Sequence, residues 1–262
     1  EGITVYLDTD VSSEYKITPQ QLEAAITPRT KLFMFSSPNN PSGMVYTYEE
    51  LKALADVFER HPHIYIISDE IYEHINFVGK HTSIAQFGTL IYRTVTVNGL
   101  SKAFSMTGWR IGYIGAPKEI AYACEKLQSQ FTSGTNAIAQ RAAIAALSGD
   151  MTPTISMREA FLKRRNLCYD ILKDIEGMKL NMPDGAFYLF PDISSYFGKS
   201  HNGHVVNNSQ DLCMYLLNQV YVVTVAGSAF GNDNCLRFSY ATSEENLIKA
   251  MNRIKEALSL LK

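Results

Sequence analysis

The sequence predicts an α/β fold, in which a mostly parallel sheet covered by helices is followed by a smaller α+β domain. Helix signals alternate with short apolar runs through the first 150 residues or so, which is the pattern of a parallel sheet with crossover helices. Beyond this region the apolar runs become shorter and no longer alternate regularly with helices. We therefore expect a larger first domain over residues 1–155 and a smaller one over residues 156–262.

Capping signals and apolar spacing define the elements of the first domain. Thr18-Pro19-Gln20-Gln21 has the pattern of a capping box with proline at the first helical position, which predicts a short helix. A second capping box starts at Thr47, and the helix after it has an apolar stripe. Apolar runs predict strands at residues 31–36, 64–67 and 94–99, and residues 3–7 are also strand-like. Further helices are expected at about 118–130 and 136–147.

The second domain is predicted from weaker patterns. A long helix is expected from about 153 to 175, with later helices at 209–219 and 244–261, the last opened by a capping box at Thr242-Ser243. Short strands are expected at 179–181, 186–190, 222–225 and 236–239. The polar segment 198–208 is predicted to be an exposed excursion.

Composition limits the partners and the cellular location. The formal net charge is −2, and the lysines and arginines are scattered, so neither a nucleic-acid footprint nor a membrane-binding patch is indicated. The four cysteines lie far apart without a CxxC pair, as is typical of reduced thiols in the cytoplasm. No apolar run reaches the roughly 18 residues that a membrane span requires. We expect a cytoplasmic protein that binds small molecules.

Three predicted strands end in polar loops: SSPNNPSG follows Phe35, SDEIY follows Ile67, and NGLSK follows Val97. The carboxyl ends of parallel strands meet at one edge of a sheet, where open α/β folds bind ligands. Lys102 lies at such a strand end, eight residues before Arg110. A lysine can form a Schiff base and an arginine can hold a phosphate, and pyridoxal phosphate chemistry needs both. Alone, such a pair is more typical of a solvated surface.

Three further residues have both an ordinary and a functional interpretation. Asp69 ends an apolar strand and is either a turn cap or the partner of a protonated ring nitrogen. Tyr72 is either a core aromatic or a hydroxyl donor in the same crevice, where Asn40, in a strong turn sequence, is a second possible donor to a phenolate oxygen. Arg237 is either a surface arginine or a fork for an α-carboxylate.

Together, the segments NNPSG, SDEIY, SKAFSMTGWRIGY, PDGAFYLFP, AGSAFG and LRFSYA resemble, in this order, the class I/II aminotransferases of fold type I, most of all the aspartate aminotransferases. The resemblance extends over essentially the whole chain. It implies a three-layer, mostly parallel sheet domain that binds pyridoxal 5'-phosphate, and a homodimer with shared active sites. It also implies amino-group exchange between an amino acid and a 2-oxo acid, with aspartate or another dicarboxylic or aromatic amino acid as the donor.

The resemblance assigns a role to each residue. It implies that Lys102 is the catalytic Schiff-base lysine and that Asp69 is the partner of the ring nitrogen. Asn40 and Tyr72 match residues that bond the phenolate oxygen, and Arg110 matches the arginine that binds the phosphate. Arg237, together with Asn40, matches the site for the substrate carboxylate. No metal is implied.

The resemblance does not include the N-terminal part of the family pattern. Family members carry a long stretch before the segment with which this chain starts, so we expect the first domain to be N-terminally incomplete.

Two alternatives to an aminotransferase stay open. Pyridoxal phosphate-dependent C–S lyases and related eliminating enzymes share most of these residues. A non-catalytic sensor domain or an inactive fragment is the other alternative.

Overall fold

The computed structural model describes residues 2–262, and their contacts divide the chain into two compact units. The first unit runs to Thr9 and continues over Lys16–Asn39 and Val45–Ser156. The second contains Asp10–Tyr15, Asn40–Met44 and Met157–Lys262. Two short pieces from early in the chain therefore belong to the second unit. The domain division expected from the sequence stays a prediction, since compactness alone does not establish that either part folds by itself.

A four-stranded sheet forms the centre of the first unit. Its strands lie in the order β1 (Leu32–Ser36), β2 (Tyr65–Asp69), β3 (Thr94–Gly99) and β4 (Gly112–Gly115). The first three are parallel, and β4 is antiparallel to β3. Ser36 pairs with Asp69, and Asp69 pairs with Val97, so the three parallel strands end at nearly the same level. The predicted α/β class and mostly parallel sheet are confirmed.

The helices of this unit begin where their capping signals predict. Helix α1 is Pro19–Ala25 and α2 is Tyr48–Arg60, and in each the predicted threonine accepts a hydrogen bond from the backbone of the third helical residue. The apolar stripe of α2 is buried against β2 in a core that includes Leu51, Phe58 and Ile66. Helices α3 (Lys118–Phe131) and α4 (Ala137–Ser148) follow, and α5 (Thr152–Leu172) continues from the first unit into the second.

The second unit contains a small antiparallel sheet. Its strands lie in the order β5 (Tyr188–Leu189), β9 (Leu236–Ser239) and β8 (Val225–Ala226). A hairpin of β6 (Ser200–His201) and β7 (His204–Val205) forms within segment 198–208, and the unit also contains helices α6 (Ser209–Val220) and α7 (Glu244–Ser259). In the described part of the chain, no helix is both long and apolar enough to cross a membrane.

Several details of the sequence prediction are wrong. Of the strand expected at 222–225, only Val225 lies in a strand, at the start of β8. Residues 3–7 form no strand, and Ile3, Val5 and Tyr6 are exposed. Their β-prone side chains pack against no sheet, and burial is what makes such residues favour strands. Residues 179–181 contribute only an isolated bridge between Lys179 and Asp192. Strand β4 was not predicted, because four residues bounded by glycines carry too little alternation to indicate a strand.

Candidate active site

The predicted lysine, aspartate and tyrosine of the first unit lie at the carboxyl edge of its sheet. Asp69 is the last residue of β2, and Tyr72 follows in the turn after it. Lys102 lies three residues beyond the end of β3, and its Nζ is 5.7 Å from the centre of the Tyr72 ring. Because β2 and β3 are adjacent and parallel, the loops that follow them are neighbours. The sheet therefore places an amine, a carboxylate and a phenol at one edge.

The backbone fixes the orientation of Asp69. Its Oδ1 accepts a hydrogen bond from the amide of Ile71 at 3.1 Å, which is a typical turn closed by an aspartate side chain. Its carbonyl accepts a bond from the amide of Ser37, just beyond β1. The side chain is half-buried. The interpretation of Asp69 as a turn cap is therefore confirmed, and the turn holds the carboxylate at the sheet edge; its role toward a ring nitrogen stays a prediction.

The loop that bears Lys102 is anchored on the neighbouring strand. The amide of Leu100, a fully buried residue, donates to the carbonyl of Ile111, and the amides of Phe104 and Met106 both donate to the carbonyl of Leu100. Glycine is favoured at position 99, because a Cβ there would lie 3.0 Å from both the Gly112 Cα and the Ile111 oxygen, a tight contact. Lys102 is half-buried within this tight turn, so its amine is held close to the sheet edge.

Arg110 occupies an exposed position at the end of the same loop. It adopts a left-handed backbone with φ of 54°, and its Nη1 donates to the carbonyl of Thr107 at 3.1 Å. The Thr107 hydroxyl in turn donates to the carbonyl of Ser101, next to Lys102. Arg110 is thus tied through Thr107 to the turn that bears the lysine. An exposed guanidinium there is available to an anion.

Sequence reasoning missed a buried polar cluster behind Asp69. The Glu70 carboxylate is only 3% exposed and accepts hydrogen bonds from the hydroxyls of Ser68 and Ser83 at 2.9 and 2.6 Å. The His81 Nε2 lies 2.8 Å from the same carboxylate. A buried charge requires such partners, and the only signal in the sequence was an acidic residue directly after an apolar strand. Nearby, a hydrogen bond from His74 lowers the pKa of Glu73.

In the second unit, the structure brings Arg237 and Asn40 together. Arg237 Nη1 donates to the Asn40 Oδ1 at 2.9 Å, although the two residues are 197 positions apart in the chain. The guanidinium carbon lies 4.6 Å from the centre of the Tyr188 ring and 4.8 Å from that of Phe230. Arg237 Nε is buried and has no hydrogen-bond partner among residues 2–262. This group is not an ordinary surface arginine.

Comparison with known proteins identifies the family. Residues 2–254 match the model of aminotransferase class I and II. A bifunctional aspartate aminotransferase and glutamate/aspartate-prephenate aminotransferase from Petunia hybrida is 46% identical over 269 aligned residues, which cover 100% of this chain. An aspartate/prephenate aminotransferase from Nitrosomonas europaea is 45% identical and covers 99% of the chain. The chain spans 56% and 66% of these two relatives, respectively.

Solved structures agree with this assignment. The aspartate aminotransferase from Rhizobium meliloti superposes with a TM-score of 0.92 at 42% identity, covering 97% of this chain and 64% of that one. An aromatic aminotransferase from Pyrococcus horikoshii superposes with a TM-score of 0.89 at 34% identity, covering 97% and 67%. Sequence and structure thus agree over nearly all of this chain and about two thirds of its relatives. The chain belongs to the class I and II aminotransferase family.

Proposed function

We propose that the protein transfers an amino group between an amino acid and a 2-oxo acid with pyridoxal 5'-phosphate as cofactor. The observation that carries this proposal is the placement of Lys102 beside Tyr72 and Asp69 at the carboxyl edge of a parallel sheet. It is supported by Arg237 in the second unit, whose Nε is buried without a partner among the described residues. Because the chain spans little more than half of the Petunia relative, the activity is proposed for the whole protein.

The residues of the first unit fit the cofactor. Lys102 offers a half-buried amine, and Asp69 offers a carboxylate whose position is fixed by the Ile71 amide. Tyr72 is 3% exposed and adjoins the Lys102 amine, so its hydroxyl is a candidate donor to the phenolate oxygen. Arg110 is the candidate phosphate ligand. When bound, pyridoxal phosphate supplies an electron sink for the electron pair left at the substrate Cα.

Each of these side chains has a defined task. Lys102 would hold the cofactor through its amine, and the same amine would carry the proton from the substrate Cα to the cofactor carbon. Asp69 stabilises a protonated ring nitrogen, since an adjacent carboxylate favours the cationic form. Arg237 binds the α-carboxylate, which decides which Cα bond is aligned for cleavage. Asn40 accepts a hydrogen bond from Arg237 and thereby helps to orient it.

We propose aspartate as the amino donor. The names of the Petunia and Nitrosomonas relatives include aspartate and also prephenate, so prephenate is included among the acceptors to be tested.

The family resemblance further supports a homodimer with shared active sites. Size-exclusion chromatography coupled to light scattering measures the mass of the protein in solution, and hence its oligomeric state.

An activity assay distinguishes the aminotransferase from its alternatives. We would incubate the 262-residue chain, and a chimera that adds the remaining part of the Nitrosomonas relative, with aspartate, 2-oxoglutarate and pyridoxal phosphate. Oxaloacetate formed by the chimera, and not by its Lys102→Ala variant, is the expected result. Pyruvate and ammonia from a cysteine-like donor would instead identify a lyase. Cofactor binding without turnover of any donor would identify a sensor domain, and either outcome would refute the proposal.

A further inference from the structure

The guanidinium of Arg237 packs against two aromatic rings. Tyr188 and Phe230 contribute these rings at 4.6 and 4.8 Å from the Arg237 Cζ, and all three residues belong to the second unit. The strand register explains how they meet. In the β5–β9 pair, Tyr188 is opposite Ser239 and Leu189 opposite Phe238, which puts Tyr188 diagonal to Arg237, within reach of a long side chain.

The second ring comes from a different element. Phe230 is the last residue of the 3₁₀ turn Gly227–Phe230, which follows β8, and β8 pairs with β9 through Val225 and Arg237. The Phe230 ring is itself held edge-on against Phe190, with ring centres 5.9 Å apart and planes at 85°. Its position is therefore set by packing and not by the arginine alone.

Asn40 bonds one nitrogen of the Arg237 guanidinium, Nη1, and this leaves the Nε edge for a ligand. Nη1 donates to Asn40 Oδ1, whereas Nε is buried and lacks a partner among the described residues. A buried N–H without a partner costs free energy, and a bound ligand is one group that can satisfy it. The two rings pack against the guanidinium carbon, and a planar carboxylate is the chemical group that fits an edge of the guanidinium in its plane.

We propose that Tyr188 and Phe230 are positioning residues that hold the plane of Arg237 so that its Nε edge receives the α-carboxylate of the substrate. This proposal deepens the proposed function and rests on it for the identity of the ligand. Neither ring touches the reacting atoms. The two rings affect the affinity for the carboxylate, because stacking against them immobilises the flexible Arg237 side chain.

Calorimetric titration of the protein with succinate, a non-reacting dicarboxylate, tests the proposal without turnover. We expect Tyr188→Leu and Phe230→Leu each to weaken succinate binding about tenfold. Tyr188→Phe, which keeps the ring, should bind nearly as the wild type does. In the assay of the chimera, the two leucine variants should raise KM for aspartate more than they lower kcat, as expected when binding is lost.

Two controls separate this proposal from a loss of stability and from the proposed function. Phe161→Leu removes another buried ring of the same unit, packed on Phe187 and Tyr240, and should leave succinate affinity unchanged despite lowering the melting temperature. Lys102→Ala should abolish turnover but bind succinate normally. Absence of succinate binding by the wild type, retained affinity in Tyr188→Leu and Phe230→Leu, or an equal loss in Phe161→Leu would overturn the inference.

Discussion

Lys102 and Tyr72 lie close together because of where the strands before them end. The pairing of Asp69 with Val97 sets β2 and β3 level, so residues three positions beyond either strand occupy neighbouring loops. That placement was predictable from polar residues after apolar runs. The buried partners of Glu70 were not, because Ser83 and His81 reach it from a loop whose path is fixed only by tertiary packing.

Removing the charge of Asp69 tests its role as partner of the ring nitrogen. In Asp69→Asn, the remaining side-chain oxygen can still accept the Ile71 amide, so the fold is expected to persist. We expect kcat to fall about 10- to 100-fold, the worth of a charge-assisted hydrogen bond. Steady-state kinetics of the chimera measure this. Asp170→Asn, at an exposed site paired with Lys173, serves as the control, and equal activity in both variants would remove Asp69 from the site.

The buried cysteines give a prediction that depends on pH. Burial raises the pKa of Cys168 and of Cys235 to about 12, whereas Cys124 is exposed. The thiolate is the reactive form, so iodoacetamide at pH 8 should alkylate Cys124 and leave Cys168 and Cys235 intact until the protein unfolds. Mass spectrometry of timed samples measures this. Alkylation of Cys168 as fast as Cys124 would show that the core around it opens readily.

The raised pKa of these two buried thiols also makes the free energy of unfolding depend on pH. Between the ordinary thiol value of 9.0 and about 12, the unfolded chain loses these protons and the folded chain keeps them. The unfolded state therefore binds fewer protons, and the free energy of unfolding falls as pH rises through this range. Urea unfolding between pH 8 and pH 10 should show the midpoint decreasing. Replacement of both residues by alanine should reduce this dependence.

At the level of elements, local signals predicted helices better than strands. The threonine caps of α1 and α2 use short-range hydrogen bonds that the sequence shows directly. The last helix begins at Glu244 as predicted, but its cap is Ser243, whose hydroxyl accepts from the Asn246 amide, and not Thr242, where the predicted capping box begins. Strands such as β5 and β8 have only two residues, and so short a pairing is defined by the partner strand and not by its own sequence.

Gly43 shows how the turn that contains Asn40 is fixed to β5. It has φ of 72°, and a Cβ there would lie 2.6 Å from Pro183 Cβ and 3.0 Å from the Tyr188 oxygen. We expect Gly43→Ala to lower the free energy of unfolding by about 3 kcal/mol, as the sum of backbone strain and overpacking. Gly203 is the matched control, because its φ is 78° and nothing lies within 4 Å of an added Cβ.

Urea unfolding followed by circular dichroism compares the two glycine variants. Gly203→Ala should lose only about 1 kcal/mol, since it has the backbone strain without the clash. Equal losses in the two variants would mean that the turn at Gly43 does not pack against β5 as described.

At the scale of the whole molecule, part of the first unit has its apolar side chains exposed. All four residues of β4 are exposed, and α3 has no buried residue in the described chain. Exposed apolar residues of α3 include Tyr122, Leu127 and Phe131. The sequence predicted α3 as a helix, but not which neighbours would cover it, because an amphipathic pattern identifies an apolar face without identifying its partner.

Long-range organisation was the least predictable part of the molecule. The joint order of six motifs indicated the family, and the matched model and structures confirm it. The family resemblance placed Asn40 and Arg237 at one site, but neither segment by itself indicated that the two residues bond across 197 positions. The sequence also did not indicate that residues 10–15 and 40–44 belong to the second unit, because the sequence of a short turn does not show which unit it packs against.

We propose that Lys102 is the lysine that binds pyridoxal phosphate. Incubation of the protein with pyridoxal phosphate, reduction with borohydride and peptide mass spectrometry identify the modified lysine without any need for turnover. We predict stoichiometric label on Lys102, its loss in Lys102→Ala, and no change in Lys80→Ala, which alters an exposed lysine. Label spread over several lysines, or unchanged labelling of Lys102→Ala, would contradict the assignment of Lys102 as the lysine that binds the cofactor.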